Sequence, residues 1–321
     1  MIYTLTLNPA VDYKIVVDRF REGCLNRSLM SDFFAGGKGI NVSSVLKSFG
    51  TESIAFGFVG GFTGNYIEHS LDLLGIKHDF VRIREHTRVN IKMMSNKEET
   101  EINGNSPVVL KNDLDLLISK LKQLDDGVLI MSGSIPSSLG DRAYNEIGKH
   151  ISDKVRLIVD TSGMALHEAV GLKPFLIKPN IKELEGLLGV KLSSVEDIIR
   201  AGNKLIDEGV GNIIVSMGGE GAVFVGAQDV YSAIVPRVDS PSTIGAGDSV
   251  VAGFVHAHCN GKSFYDSFKF GVATGTATAT RGRLCNLDDV KDALSKIKIK
   301  QIFPGNTPTT QNNNPRKEES E

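Results

Sequence analysis

A chain of 321 residues, 41% of them hydrophobic, is long enough to bury one large core. Its formal net charge of −2 provides no basic field for a nucleic-acid backbone, and no polybasic cluster suits an anionic membrane. Cys24, Cys259 and Cys285 are odd in number and far apart, which argues against a zinc or disulfide framework and for reduced thiols in the cytoplasm.

The opening Met1-Ile2-Tyr3-Thr4-Leu5-Thr6-Leu7 has no basic segment leading into a long apolar stretch, so a signal peptide is not expected. No uncharged apolar run reaches the ~20 residues of a spanning helix. Residues 2–7 read as a buried strand, and Asn8-Pro9-Ala10-Val11-Asp12 carries Asp12 to its carboxyl end. A carboxylate there either holds sugar hydroxyls by charge-assisted hydrogen bonds or simply shapes a turn. Residues 11–34 interleave polar and strand-forming residues without helical periodicity.

Gly36-Gly37-Lys38-Gly39-Ile40-Asn41 then opens a helical stretch over residues 39–48. Its glycines permit close backbone approach, and Lys38 and Asn41 offer a cation and an amide to a phosphate or sugar. A solvated lysine at a helix start is the plainer alternative. No Ser or Thr follows Lys38 and the upstream glycine spacing is missing, so this is not a P-loop. After a strand at 53–59 and a helix at 65–74, residues 86–105 again look strand-forming. With 11–34 they predict a small β-sheet lid over the crevice, which could also serve for dimerisation; two β-excursions of the main domain are the alternative. Alternation in Thr87-Arg88-Val89-Asn90 sets Arg88 and Asn90 on one face, where an arginine suits a phosphate dianion or is merely solvated.

Helices at 114–124, 143–150 and 195–208 alternate with buried strands at 128–132, 157–160, 175–178 and 213–216. Alternation of this kind predicts an α/β fold, a mostly parallel sheet with helices on both faces and ligands at the carboxyl ends of the strands. Ser132-Gly133-Ser134, Lys178-Pro179-Asn180 and Ser216-Met217-Gly218 occupy such ends. Asn180 and Glu183 have capping-box spacing, and the same pair could serve a magnesium–water shell between nucleotide phosphates. Ser216-Met217-Gly218-Gly219-Glu220-Gly221 is either a hairpin turn or bare backbone against which an adenine nucleotide lies.

Thr243-Ile244-Gly245-Ala246-Gly247-Asp248-Ser249 precedes an apolar, helix-like segment. Bare amides at a helix start hold anions, and Asp248 beside them can take a proton from an attacking hydroxyl. That pairing suits phosphoryl transfer to an alcohol, with a plain helix cap as the alternative. His256-Ala257-His258 makes no metal-ligand pattern, and Ser134 and Ser249 lack a nucleophile-elbow context. Asn8-Pro9-Ala10 stands where a nicotinamide-binding chain needs its glycine fingerprint. From about Phe303 the composition turns polar, and residues 303–321 are expected to form a disordered tail.

In this order, Gly36–Asn41 and Ile244–Ser249 resemble the two signatures of the ribokinase-like (PfkB) carbohydrate kinases, with similarity from Met1 to about Ile299. Thr4–Asp12 is similar to the branch acting on phosphosugars. The stretches Phe58–Gly64, Glu99–Gly104, Gly133–Ser138 and Gly247–Phe254 resemble the subgroup that uses fructose 1-phosphate. The resemblance implies a kinase domain over 1–302 and transfer from ATP to the sugar's 6-hydroxyl. Asp248 would be the base, and the amides of Gly245, Ala246 and Gly247 would stabilise the transferring group. Asp12, Gly37 and Asn41 would hold the sugar, and Lys38, Arg88 and Asn90 its phosphate. Lys178, Asn180 and Glu183 would organise ATP and magnesium, and Ser216, Gly218 and Gly221 would shape the ATP site. A homodimer through the lids is also implied, and a monovalent cation stays open. Sister activities on tagatose 6-phosphate or fructose 6-phosphate are the near alternatives. A non-catalytic sugar-phosphate sensor would have no need of Asp248.

Overall fold

Short apolar runs between amphipathic helices build one large sheet in the computed structural model, which describes residues 1–96, 98–238 and 243–302. The elements in the first half are β1 (Ile2–Thr6), β2 (Ala10–Val17), β3 (Met30–Gly36), α1 (Lys38–Ser48), β4 (Ser53–Val59), α2 (Gly61–Leu74), β5 (Lys77–His78), β6 (Val81–Arg82), β7 (Arg88–Ser95), β8 (Glu98–Ile102), α3 (Lys111–Leu121), β9 (Gly127–Ser132) and α4 (Ala143–Gly148). Then follow β10 (Val155–Asp160), α5 (Gly163–Val170), β11 (Leu176–Ile177), α6 (Ile181–Leu188), α7 (Val195–Asp207), β12 (Asn212–Ser216), β13 (Ala222–Gly226), β14 (Val230–Ile234), α8 (Ala246–Cys259), α9 (Phe264–Arg281), α10 (Leu287–Leu294) and β15 (Lys298–Gln301).

The main sheet has the order β15-β14-β13-β12-β11-β10-β9-β1-β4-β5, with β6 also on β4. From β12 to β5 the pairings are parallel, and β13, β14 and β15 add an antiparallel edge. The central strands are apolar on both faces because helices cover both. Successive residues divide between two cores: Leu129, Val159 and Ile213 face α3–α7, while Ile130, Ile158 and Ile214 face α1 and α8–α10. A mostly parallel sheet with helices on both faces is the arrangement expected from the sequence.

A second, four-stranded sheet has the order β3-β2-β7-β8. Its central pair, β2 and β7, is parallel, with Asp12 opposite Asn90, and both flanking pairs are antiparallel. The sheet springs from the carboxyl end of β1 and returns through β3 directly into α1. Its interleaved polar and apolar residues are those of a sheet with one face on α2, where the Tyr66 hydroxyl donates to Phe33 O at 2.6 Å.

Some elements lie outside the expected bounds. α2 starts at Gly61, ahead of the periodic residues, because Thr63 and Gly64 are buried without an apolar period. α9 carries no clear stripe, since its contact face is built of small residues. A Cβ on Gly253 of α8 would lie 2.3 Å from Thr274 Oγ1 of α9, so the two helices meet almost backbone to backbone. The Ser216–Gly221 link does join antiparallel strands, closed by Met217 N–H donating to Gly221 O at 2.9 Å around a 3-10 turn. His256 and His258 sit in packing roles: one meets Thr51 Oγ1 at 2.7 Å, and the other stacks on Phe264. The expected tail, 303–321, lies outside the described residues.

Candidate active site

The carboxyl ends of β1, β10, β11 and β12 open onto the start of α8, and the polar groups of three segments converge there. The centre is Asp160, the last residue of β10, whose side chain is 1% exposed. Lys38 Nζ donates to its Oδ1 at 2.9 Å, and Lys178 Nζ pairs with the same oxygen at 3.3 Å. Asp160 Oδ2 is buried without a partner among the described residues. Burial opposes the charge of Asp160, but the two ammonium groups outweigh it and hold the carboxyl below its usual range. Lys38 is likewise disfavoured by burial yet held above the usual lysine value, chiefly by Asp160.

Lys38 reaches this point because α1 starts on top of β1. Gly37 has φ +130, and a Cβ there would lie 2.7 Å from Thr6 Cγ2 and 3.3 Å from Pro9 Cα. Only glycine fits that approach. One turn further, Asn41 Nδ2 donates to Asp248 Oδ2 at 2.7 Å.

Asp248 lies in the first turn of α8 behind Gly245, an αL residue with φ +77 that gives the helix no side-chain cap. Ala246 N–H turns back to Thr243 O at 3.1 Å, which takes it out of the expected anion hole in this conformation. No side-chain cap holds the first amides of α8. Gly247 faces Lys178, whose Nζ would be 3.2 Å from a Cβ there. The Asp248 carboxyl is pushed up to about 6, first by burial and then by Asp160, against the pull of Lys38, Asn41 and Lys178. A base in that range is poised for work near neutral pH.

The second group lies at the root of the small sheet. Asp12 Oδ1 accepts from Asn90 Nδ2 at 3.0 Å, and Lys92 Nζ pairs with Asp12 Oδ2 at 3.1 Å. Arg88 donates through Nη2 to Asn8 O at 3.1 Å, while Arg88 Nε and Asn8 Oδ1 are buried with no partner among the described residues. Burial lowers the Arg88 pKa, with Asp12 opposing. Asn8 Nδ2 donates to Ser106 Oγ at 2.7 Å and Ser134 Oγ at 3.1 Å. An orphaned guanidinium N–H and an orphaned amide oxygen are costly unless a ligand completes them.

The third group is the nucleotide side of the expected site. Asn180 and Glu183 form a reciprocal capping box, with Glu183 N–H on Asn180 Oδ1 and Asn180 N–H on Glu183 Oε2, both at 2.8 Å. Asn180 bridges Ser216, which joins this cap to Gly218 and to Gly221. At Gly221 φ is +101 and a Cβ would meet Ala233 O at 1.9 Å, so this glycine permits close packing on β14, whereas nothing lies within 4 Å of the Cβ position at Gly218.

Lys38 and Arg88, expected to share one phosphate, share no partner among the described residues: Lys38 turns to Asp160 and Arg88 to Asn8. Asp160, Lys92 and Asn8 were not among the expected site residues. Asp160 carries only the signal of a polar strand end, and Lys92 extends the alternation of Arg88 and Asn90 by one step.

The sequence pattern described as pfkB family carbohydrate kinase matches residues 5–290. A 1-phosphofructokinase of Borreliella burgdorferi is 56% identical over 305 residues, covering 94% of this chain and 99% of that protein. A 1-phosphofructokinase of Bacillus subtilis is 40% identical over 304 residues, covering 94% and 100%. Among solved structures, phosphofructokinase-2 of Escherichia coli in complex with substrates and products superposes with a TM-score of 0.87 at 28% identity, covering 92% of this chain and 98% of that one.

Proposed function

The chain belongs to the pfkB family of carbohydrate kinases, and we propose that it transfers the γ-phosphate of ATP to the 6-hydroxyl of fructose 1-phosphate, giving fructose 1,6-bisphosphate and ADP. The observation that carries the chemistry is the Asp248 carboxyl, held at 2.7 Å by Asn41 beside the uncapped start of α8. The choice of sugar is supported by identity to 1-phosphofructokinases along almost the whole chain.

In this mechanism Asp248 takes the proton of the 6-hydroxyl as its oxygen attacks the γ-phosphorus, and ADP leaves on the opposite side. The amides of Gly245 and Gly247 face the transferring group as donors, joined by that of Ala246 once it turns from Thr243. Asp12, with Gly37 and Asn41, orients the sugar hydroxyls. Arg88, with Asn90, takes the phosphate already on the sugar, completing the orphaned Nε. Lys38, turned to Asp160, is assigned to the transferring group. Lys178, Asn180 and Glu183 face the nucleotide phosphates, and Ser216, Gly218 and Gly221 shape the ATP site.

No cluster of three or more His, Cys, Asp or Glu among the described residues could by itself hold a metal. The orphaned Asp160 Oδ2 and the second oxygen of Glu183 fit an ion carried on nucleotide phosphates and reached by one or two carboxylates. When bound, magnesium there neutralises phosphate charge. Omitting potassium from the assay tests a monovalent cation.

We further infer a cytoplasmic homodimer that pairs through the small sheet as a lid. Exposed apolar side chains lie on both faces of its strands, Met30 and Phe34 on one and Phe33 and Ile102 on the other, as suits a sheet that meets a partner. Dependence on ATP supports the location; no described helix is long and apolar enough to cross a membrane.

Steady-state kcat/KM for fructose 1-phosphate, fructose 6-phosphate and tagatose 6-phosphate tests the assignment. The first should win; a preference for tagatose 6-phosphate would overturn the substrate and leave the phosphoryl-transfer mechanism standing.

A further inference from the structure

Along β7 the side chains of Arg88, Asn90 and Lys92 alternate onto one face. The register sets Lys92 opposite Lys14 on one neighbouring strand and opposite Glu101 on the other. Glu101, of opposite charge on the adjacent strand, is the usual partner for a lysine whose work is to hold the sheet. The Lys92 ammonium goes elsewhere. It lies 3.1 Å from Asp12 Oδ2, one register step toward the crevice, and the two side chains are only 15% and 16% exposed.

The other oxygen of Asp12 accepts from Asn90 at 3.0 Å. Both oxygens of this carboxylate are thus held from the same strand, which fixes the plane of the group. The backbone of β3 presses on it from the opposite side: a Cβ on Gly36 would lie 2.6 Å from Asp12 Cγ. A carboxylate oxygen has more than one acceptor direction, and an ammonium has three N–H groups, so both partners keep capacity for a polyhydroxy ligand. Taking a charged pair so far out of water costs more than a surface pair returns, unless a further partner shares it.

We propose that Lys92 is a positioning residue for the sugar phosphate. It pins the Asp12 carboxylate in the orientation that accepts the ketose hydroxyls, and it adds donors of its own to that end of the ligand. The proposal rests on the reading of this crevice as a ketose-phosphate site and is independent of which ketose phosphate is preferred. Lys92 lies along the lid strand from Arg88, and its ammonium pairs with Asp12 and not with Asp248 or Asp160. It acts on sugar binding and not on phosphoryl transfer.

The test uses the full chain and the variants Lys92→Met, Lys92→Gln and Lys92→Arg, assayed with all three sugar phosphates and with ATP varied separately. Lys92→Met and Lys92→Gln should raise KM for the preferred sugar phosphate about ten-fold or more, the scale of a lost charge-assisted contact. kcat should stay within about two-fold, KM for ATP should not move, and Lys92→Arg should recover most of the loss. With Asp12→Asn the effects should fall short of additive, since each residue acts through the other. An unchanged sugar KM overturns the proposal, as does a loss confined to kcat or one shared equally with ATP. Failure of both Lys92→Met and Lys92→Gln to fold overturns it in favour of a structural role. If the unsubstituted enzyme prefers a different ketose phosphate, the assignment of fructose 1-phosphate fails, and Lys92 is judged on the sugar that is used.

Discussion

Asn41, in the first turn of α1, donates its side-chain amide to the Asp248 carboxylate at 2.7 Å across 207 positions of sequence. The bond ties the two glycine motifs into one site and holds the carboxyl that is to take the proton. Replacing Asp248 with Ala should lower kcat by ~10²–10⁴ while sugar-phosphate affinity, read by calorimetry, stays close to normal. Near-normal turnover would remove Asp248 from the mechanism.

The pH profile should carry the same signature. With its pKa at about 6, Asp248 is active as the deprotonated form, so kcat/KM should rise with pH through that value and level off above it. Asn41 pulls this pKa down, so Asn41→Ala should move the acid limb to higher pH. Because the folded pKa lies above the ordinary aspartate value of 3.8, the folded state binds the extra proton between those limits. This group's contribution to stability is present at the acid side of that window and is lost as pH rises through it. An acid limb near pH 4 in the native enzyme would contradict the buried environment.

Asp160 anchors two cations, and its loss should be felt in stability as well as in rate. Asp160→Asn leaves Lys178, whose side chain is 6% exposed, without its carboxylate. Breaking a buried pair from one side costs about 3–5 kcal/mol, which urea denaturation would read as a lower midpoint at unchanged m. A midpoint equal to that of the native protein would mean that water already shares the charge.

Phe34 is 48% exposed on β3 and stands opposite Asp12 in the sheet register. Placing a charge in an apolar contact should break it, so Phe34→Asp should shift the protein toward monomer in light scattering coupled to size exclusion. A native protein that is monomeric at micromolar concentration would remove the dimer.

The fold was readable wherever burial leaves a local pattern. The strands around β1, β9, β10 and β12 are apolar on both faces and stand out in any window. α9 was not, because its packing on α8 depends on Gly271, Gly275 and threonines that show no hydrophobic stripe. In the site, Lys38 and Asp248 could be singled out because glycines flank them. Asp160 and Lys92 have no such neighbours, and only their partners distinguish them.

The amino-acid sequence by itself determined the alternation that makes a parallel sheet, the glycines at which a helix can start against a strand, and the kinds of group at each strand end. These are local properties, set by side-chain size, period and backbone freedom. Only the tertiary structure decided which charges meet. It turned Lys38 to Asp160 and away from Arg88, brought Lys178 to the same carboxylate, and set Lys92 on Asp12 in preference to Glu101. Such pairings depend on distances and burial between distant segments, and no spacing along the chain encodes them one residue at a time.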